Sequence, residues 1–351
     1  MNADPAPQHT RLRLPRPVRW HRPLLALTAL MAALAVASGV LAIVDPREIL
    51  GQNAWFKPLK FTISIAIFSL TLAWLIGLVQ RRRRLAETAG TIAVVGLLAE
   101  IVIIVGAAAV GSTSHFNVTT PLTTTLWSIM AASIVVVWIM TLLVGIGLVA
   151  SPGPDRARNL AVRAGVALGI VGMGLAFFTT GPNAEQLNDF QGIAGAHAVG
   201  VADGGPGLPF LGWSTEAGDL RVPHFIGMHA MQAIPLVLLG IELLSARITA
   251  LRDGSTRFGL VAVATASYAG AIALLTWQAL AGQSIIAPSG PILVAAIVLA
   301  VGAVLAAAAV LVGGWRDARR GADVRPNALT ENPKQKYFAI RVCDSHEVAP
   351  W

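Results

Sequence analysis

Eight stretches of roughly twenty apolar residues, separated by polar connections, constrain this chain more than any other feature in it. A bilayer hydrocarbon core is about 30 Å thick, and a helix rising about 1.5 Å per residue crosses it in about 20 residues. Inside lipid the backbone must satisfy its own hydrogen bonds, so uninterrupted apolar runs of this length cross as helices. The stretches fall at 23–44, 58–79, 86–110, 121–150, 157–180, 223–245, 258–282 and 290–313. The sequence therefore predicts an all-α, polytopic integral membrane protein with eight transmembrane helices over 23–313. A basic segment, 1–22, precedes that domain and a basic tail, 314–351, follows it. Pro23, Pro58, Pro121 and Pro223 open four of the stretches, where a missing N–H costs nothing. The first stretch carries a signal-like Ala35-Val36-Ala37, but its apolar run continues to Val44 and reads as an uncleaved anchor.

Only 13% of the residues are charged, against about 25% in a soluble domain. The net charge of +8 is carried by residues flanking the apolar stretches, which reads as a topology signal and not as a nucleic-acid surface. Arginine outnumbers lysine 22 to 4 in an Ala-, Val- and Gly-rich chain, a composition expected of a GC-rich bacterial genome. The single Cys343 excludes an intramolecular disulfide and any cysteine-based metal cluster.

The cations also set direction. Arg11, Arg13, Arg16, Arg19 and Arg22 precede the first stretch, and Arg81, Arg82, Arg83 and Arg84 lie between the second and third. Arg156, Arg158 and Arg163 surround the start of the fifth, and Arg247, Arg252 and Arg257 separate the sixth from the seventh. Arg316, Arg319, Arg320, Arg325, Lys334, Lys336 and Arg341 fill the tail. Alternate connections thus hold 22 cations, and the opposite set holds four: Arg47, Lys57, Lys60 and Arg221. Cation-rich loops stay in the cytoplasm, so both termini are expected there, in a bacterial cytoplasmic (inner) membrane. Trp20, Trp55 and Trp315 are expected at the interfaces as an aromatic belt.

The outer connections carry the unusual chemistry. The longest, 181–222, has Phe190, Leu208, Phe210, Leu211 and Trp213 to pack with and nine glycines to turn on. A loop of that length is expected to be functional, here as a lid over the helix mouths. Ionisable groups at membrane depth are costly and are functional candidates by default. Glu100, mid-way along the third stretch, is the clearest, and an isolated carboxylate there must be protonated or paired. His224 and His229 open the sixth stretch five residues apart, about 140° round one helix, so they do not share a face. His229 and Gln232 do share one. Lys57 and Lys60 open the second stretch; snorkelling explains them less well than holding an anion or neutralising Asp189, Glu216 or Asp219 in the lid. Gln278 ends the seventh stretch, and His115 and Asn117 follow the third. If their helices adjoin, Lys57, Lys60, His115, His224, His229 and Gln278 would ring a mouth above Gln232 and the buried acid Glu100.

No phosphate-binding GxxxxGK[ST], HExxH or GxSxG motif is present. At NAWFKPLKF, TSHFN and GDLRVPHFIGMHAMQ the chain resembles a family of uncharacterised multi-pass membrane proteins from high-GC bacteria, from about the second stretch to the seventh. That resemblance implies a membrane fold and no activity or cofactor. Three functions compete. In a redox protein, His115, His224 or His229 would ligate haem or a metal, and the lysines would neutralise propionates or a quinone-derived anion. In a proton-coupled transporter of a small molecule, Glu100 would titrate and the lid would gate, although the pattern shows neither a broken helix nor an inverted repeat. In an assembly or sensory subunit, the outer loop would bind a partner.

Overall fold

The computed structural model describes residues 18–323. Arg11, Arg13 and Arg16, the tail cations from Arg325 onward and Cys343 lie outside the described residues. The described chain is all-α apart from two short ladders. Its helices are α1 (Arg22–Val44), α2 (Phe56–Leu78), α3 (Arg83–Ala109), α4 (Pro121–Val149), α5 (Arg156–Gly174), α6 (Ala184–Asn188), α7 (Arg221–Met228), α8 (Ala230–Ser245), α9 (Gly254–Leu280) and α10 (Gly290–Asp323). A 3₁₀ turn, Leu175–Thr179, extends α5. The strands β1 (Glu48–Ile49) and β2 (Gln52–Asn53) pair antiparallel, as do β3 (Ala198–Val199) and β4 (Gly218–Asp219).

Seven helices, α1 to α5, α9 and α10, are long and apolar enough to cross a membrane. Their ends follow local chemistry. Asp155 and Asp253 cap α5 and α9 by accepting from the backbone N–H of Arg158 and Thr256, and Thr120 and Thr123 form a reciprocal capping box on α4. α1 is part of the packed domain, since Leu24 and Met31 are wholly buried.

The sixth apolar stretch departs from its expected form. It is not one continuous helix over 223–245: α7 and α8 meet at His229 with a bend of 48°. Two sequence features meet there. Gly172 of α5 and Gly227 of α7 touch backbone to backbone, pinning α7 against α5. Pro235 in α8 has no N–H to give the carbonyl of Met231, and its ring crowds that carbonyl. Exposed backbone groups at a break inside lipid must find partners. The Ile226 carbonyl accepts from the Tyr268 hydroxyl (2.6 Å), and the His229 carbonyl accepts from the N–H groups of Gln232 and Ala233.

The helices form two groups. α1–α4 pack together, and α5 packs with α7, α8 and α9, with α10 against α9. The groups join along α4 and α5, where Trp138 donates to the Ile170 carbonyl (2.9 Å) and Val137, Val144, Val166 and Met231 share one core. On the other side, α2 and α8 are bridged by a hydrogen bond from Gln232 to Thr71 (2.9 Å). Above that bond α2 and α7 stand apart.

The long connection after α5 is folded. Gly192 and Ala194 pair with Val118 and Phe116 of the α3–α4 loop, and a hairpin closes with the Leu208 N–H bonded to the Trp213 carbonyl (2.8 Å). Gly218 lies so close to the Ala279 carbonyl that a Cβ would come within 2.0 Å of it. Trp55 packs inward: it is buried, and its indole donates to Asp45 (2.8 Å). Trp20 and Trp315 are exposed.

Candidate functional site

The gap between α2 and α7, roofed by this connection, is a cavity of about 640 Å³. Apolar side chains form most of its wall, with a few polar groups converging at the roof, which is the usual character of a small-molecule site. Backbone strain gathers around it. Among the described residues, four non-glycine residues have positive φ, and three of them, Leu50 (51°), Phe116 (64°) and Phe210 (64°), line this cavity. For bulky residues such conformations cost about 1–3 kcal/mol each and persist only where surrounding contacts enforce them.

The cations come from two helix starts. Lys57 and Lys60 lie one turn apart on one face of α2, and Arg221 is the first residue of α7. Arg221 is neutralised at once, pairing with the buried Asp219 (2.6 Å) and donating to the Gly212 carbonyl. The lysines are not. Lys60 donates to the Leu211 carbonyl (2.9 Å) and lies over the Phe210 ring. Lys57 makes no hydrogen bond to another described residue. Among the described residues, no carboxylate lies within ion-pairing distance of either ammonium, and Asp219, one expected partner, is already bound to Arg221.

Glu100 of α3 is buried behind this wall, 3% exposed. Its Oε1 lies 3.6 Å from Nε2 of His115, and its Oε2 has no hydrogen-bond partner among the described residues. At 3.6 Å the pair is too long for a hydrogen bond, and a small ring rotation would make one. His115 reaches down from the α3–α4 loop because Phe116, left-handed beside it, turns the chain inward and pairs with the lid. Its ring is held among Phe61 (5.6 Å between centroids), Trp127 (5.5 Å) and His197 (6.4 Å), and its Nδ1 shares a hydrogen bond with Ser114 (3.0 Å). Burial, reinforced by Lys57 and His197, holds His115 well below the ordinary histidine pKa, so it is neutral.

His197 and Asp203 continue this polar line into the lid. His197 Nδ1 donates to Asp203 Oδ2 (2.7 Å), and the N–H groups of His197 and Ala198 also reach that carboxylate. Burial lowers the His197 pKa despite Asp203. Burial also pushes Asp203 upward, but the hydrogen bond from His197, the charge that ring acquires at the acid pH where Asp203 titrates, and the backbone donors outweigh it and bring its pKa down to about 2. The pair is therefore a neutral ring bound to a carboxylate.

Of the residues expected to ring a common mouth, Lys57, Lys60, His115 and His229 line the cavity. Gln232 lies directly behind, its Oε1 accepting from His229 Nδ1 (3.2 Å), and Glu100 lies behind His115. His224 and Gln278 are elsewhere: His224 bonds the Gly172 carbonyl of α5 (2.9 Å), and Gln278 donates to the Ser284 carbonyl (2.6 Å). Asn117 braces its own loop, accepting from Thr119 (2.7 Å). Sequence reasoning missed His197, Asp203 and Arg221 as site residues. A histidine and an aspartate six residues apart in a glycine-rich loop were the only available signal. No group of three His, Cys, Asp or Glu side chains among the described residues converges as a metal cage.

Fold and cavity together define a multi-pass helical membrane protein with a chamber between two helix groups. Comparison with protein-family models, with curated proteins and with solved structures finds no match to this chain.

Proposed function

We propose that this chain is an eight-span protein of a bacterial cytoplasmic membrane, with both termini inside and α7–α8 counted as one broken span. It takes up an organic anion at its outer face and couples that binding to a proton on the Glu100–His115 pair. One observation carries the reading: two ammonium groups, neither within ion-pairing distance of a carboxylate among the described residues, face a chamber whose inner wall holds a buried acid against a neutral histidine. Leaving charge buried and unpaired is costly, so an anion that completes Lys57 and Lys60 would be bound with substantial energy. A negative ligand arriving beside Glu100 also favours protonation of that site, which links the ion to the proton. The break at His229 supports transport, since interrupted helices at a chamber between helix groups are where carriers hold substrate.

The test is anion binding to purified protein in nanodiscs across a panel of carboxylates and phosphate monoesters, with proton uptake followed by a pH dye. At least one anion should bind, Lys57→Met should weaken it about tenfold or more, the scale of a lost charge-assisted hydrogen bond, and Glu100→Gln should abolish proton uptake while leaving the melting profile intact. Absence of any anion binding, or equal binding by Lys57→Met, would refute it. A second reading has its own support. Phe61, Phe116, His115 and His197 line the chamber as an aromatic wall suited to the flat head of a quinone, with Trp127 packed against His115 and Phe116. A reduced-minus-oxidised spectrum showing bound quinone would favour it.

A further inference from the structure

We infer that the anion is an amphiphile: a carboxylate or phosphate head on a single alkyl chain, which reaches the chamber sideways from the bilayer between α2 and α7–α8. This rests on the anion-binding reading above and extends it to the ligand's class and route.

The chamber is divided along its depth. Its charged groups gather under the lid, where Lys57, Lys60 and Arg221 outnumber Asp189 and Asp203. Below them, α2 offers Phe61, Ile63 and Ile67 and α3 offers Ile104 and Ala108, with Ser64 and His229 the polar side chains at that depth. Ile67 lies ten residues from Lys57 along α2, about 15 Å deeper. That is a slot with a cationic end and an apolar shaft.

Its side wall is incomplete. Ile63 and Ile67 line the slot, yet each is 41% exposed, and the exposed flank of α2 continues through Leu70. On a helical wheel these three share a flank, opposite the face on which Thr62, Ile65, Ser69 and Leu72 are buried. This is the flank an α-helix in this position turns to lipid. Immediately deeper, the Thr71–Gln232 hydrogen bond ties α2 to α8 and ends the opening.

The roof, by contrast, is tied down. Lys60 bonds the lid at Leu211, Phe210 stacks edge-on against Phe56 (5.5 Å), and Ser284 bonds the Ser214 carbonyl (3.0 Å). The incomplete side wall is a way in from the bilayer. A chain sliding from lipid into this shaft exchanges one apolar surrounding for another. The chain therefore concentrates the ligand in the membrane, and the head, meeting Lys57 and Lys60, decides which amphiphile stays.

The test uses the full chain in phosphatidylcholine nanodiscs, with the shift in melting temperature as readout and five probes: dodecanoate, dodecyl phosphate, dodecanol, acetate and inorganic phosphate. Dodecanoate, dodecyl phosphate or both should stabilise the protein, and whichever does so identifies the head. Dodecanol, acetate and inorganic phosphate should not. Ile67→Trp, which narrows the lateral mouth, should slow the onset of stabilisation after the long-chain probe is mixed with the nanodiscs by about tenfold or more; Ile63→Trp serves the same purpose if Ile67→Trp fails to fold. Acetate or inorganic phosphate matching the long-chain probes would overturn the amphiphile and leave a small-anion site standing. Dodecanol matching dodecanoate would overturn both readings, because charge would not matter. An onset as fast in both tryptophan variants as in the parent chain would overturn the lateral route. No stabilisation by any probe would overturn both readings.

Discussion

Gly172→Ala tests the contact that fixes the whole site. A Cβ built at Gly172 would lie 2.1 Å from the carbonyl carbon of Gly227, 2.2 Å from the Met228 nitrogen and 2.4 Å from Gly227 Cα. All three are backbone atoms, so no rotamer change can make room. To restore even a tight 3.0 Å contact, α7 must retreat from α5 by about 0.9 Å. Overpacking of this kind costs about 1–3 kcal/mol, and backbone-to-backbone contact puts the change at the upper end, about 3 kcal/mol. The movement also carries Arg221 and Phe225, which line the chamber, and the break at His229. The assay is reversible unfolding in mixed micelles together with anion binding in nanodiscs. Gly174→Ala is the control, because the nearest atoms to its Cβ, on the Trp138 ring, are 4.0 Å away. Gly172→Ala should lose stability and anion affinity together while Gly174→Ala changes neither. If Gly172→Ala matches the parent chain in both, α7 does not rest on α5 through its backbone and the account of the break is wrong.

Lid closure should depend on pH. His197 binds its proton less readily when the lid is closed than the free ring, whose pKa is near 6.5, so closure loses stability as pH falls below about 6.5. Asp203, brought down to about 2 from an ordinary 3.8, contributes stability above about 4 that is lost as pH falls toward 2. Both changes have the same sign; amide protection factors across 192–220, taken relative to the intrinsic exchange rate at each pH, should fall on acidification, and an opposite trend would contradict the buried neutral ring. Leu50→Gly should stabilise the chain by about 1 kcal/mol in a melting assay, because it relieves a left-handed leucine that is mostly exposed. Gln232→Leu should remove the Thr71 bridge that ends the opening between α2 and α8, raising cysteine-reagent access at an introduced Ile67→Cys in a Cys343→Ser background.

The helix pattern was legible in the sequence because membrane solvation acts locally. Every run of about twenty apolar residues must become a helix wherever it sits, so α2, α3, α4 and α9 begin and end within a few residues of their apolar limits. Glu100 was legible for the same reason: a carboxylate at that depth needs a partner of some kind. Which partner it finds was not, because His115 reaches Glu100 only through a left-handed Phe116 and its pairing with Ala194, contacts between segments nearly eighty residues apart. The break at His229 was equally hidden. Gly227 and Pro235 are both visible in the sequence, but not that another helix, α5, meets them, with Gly172 against Gly227 and Gly165 against Pro235. The same long-range packing separates residues the sequence ranked alike, keeping Lys57, Lys60 and His229 on the chamber wall while binding His224 to α5 and Gln278 to its own loop. By itself the sequence determined what each segment must do in lipid. Tertiary structure decided which polar groups meet, since that depends on packing between helices that no local pattern encodes.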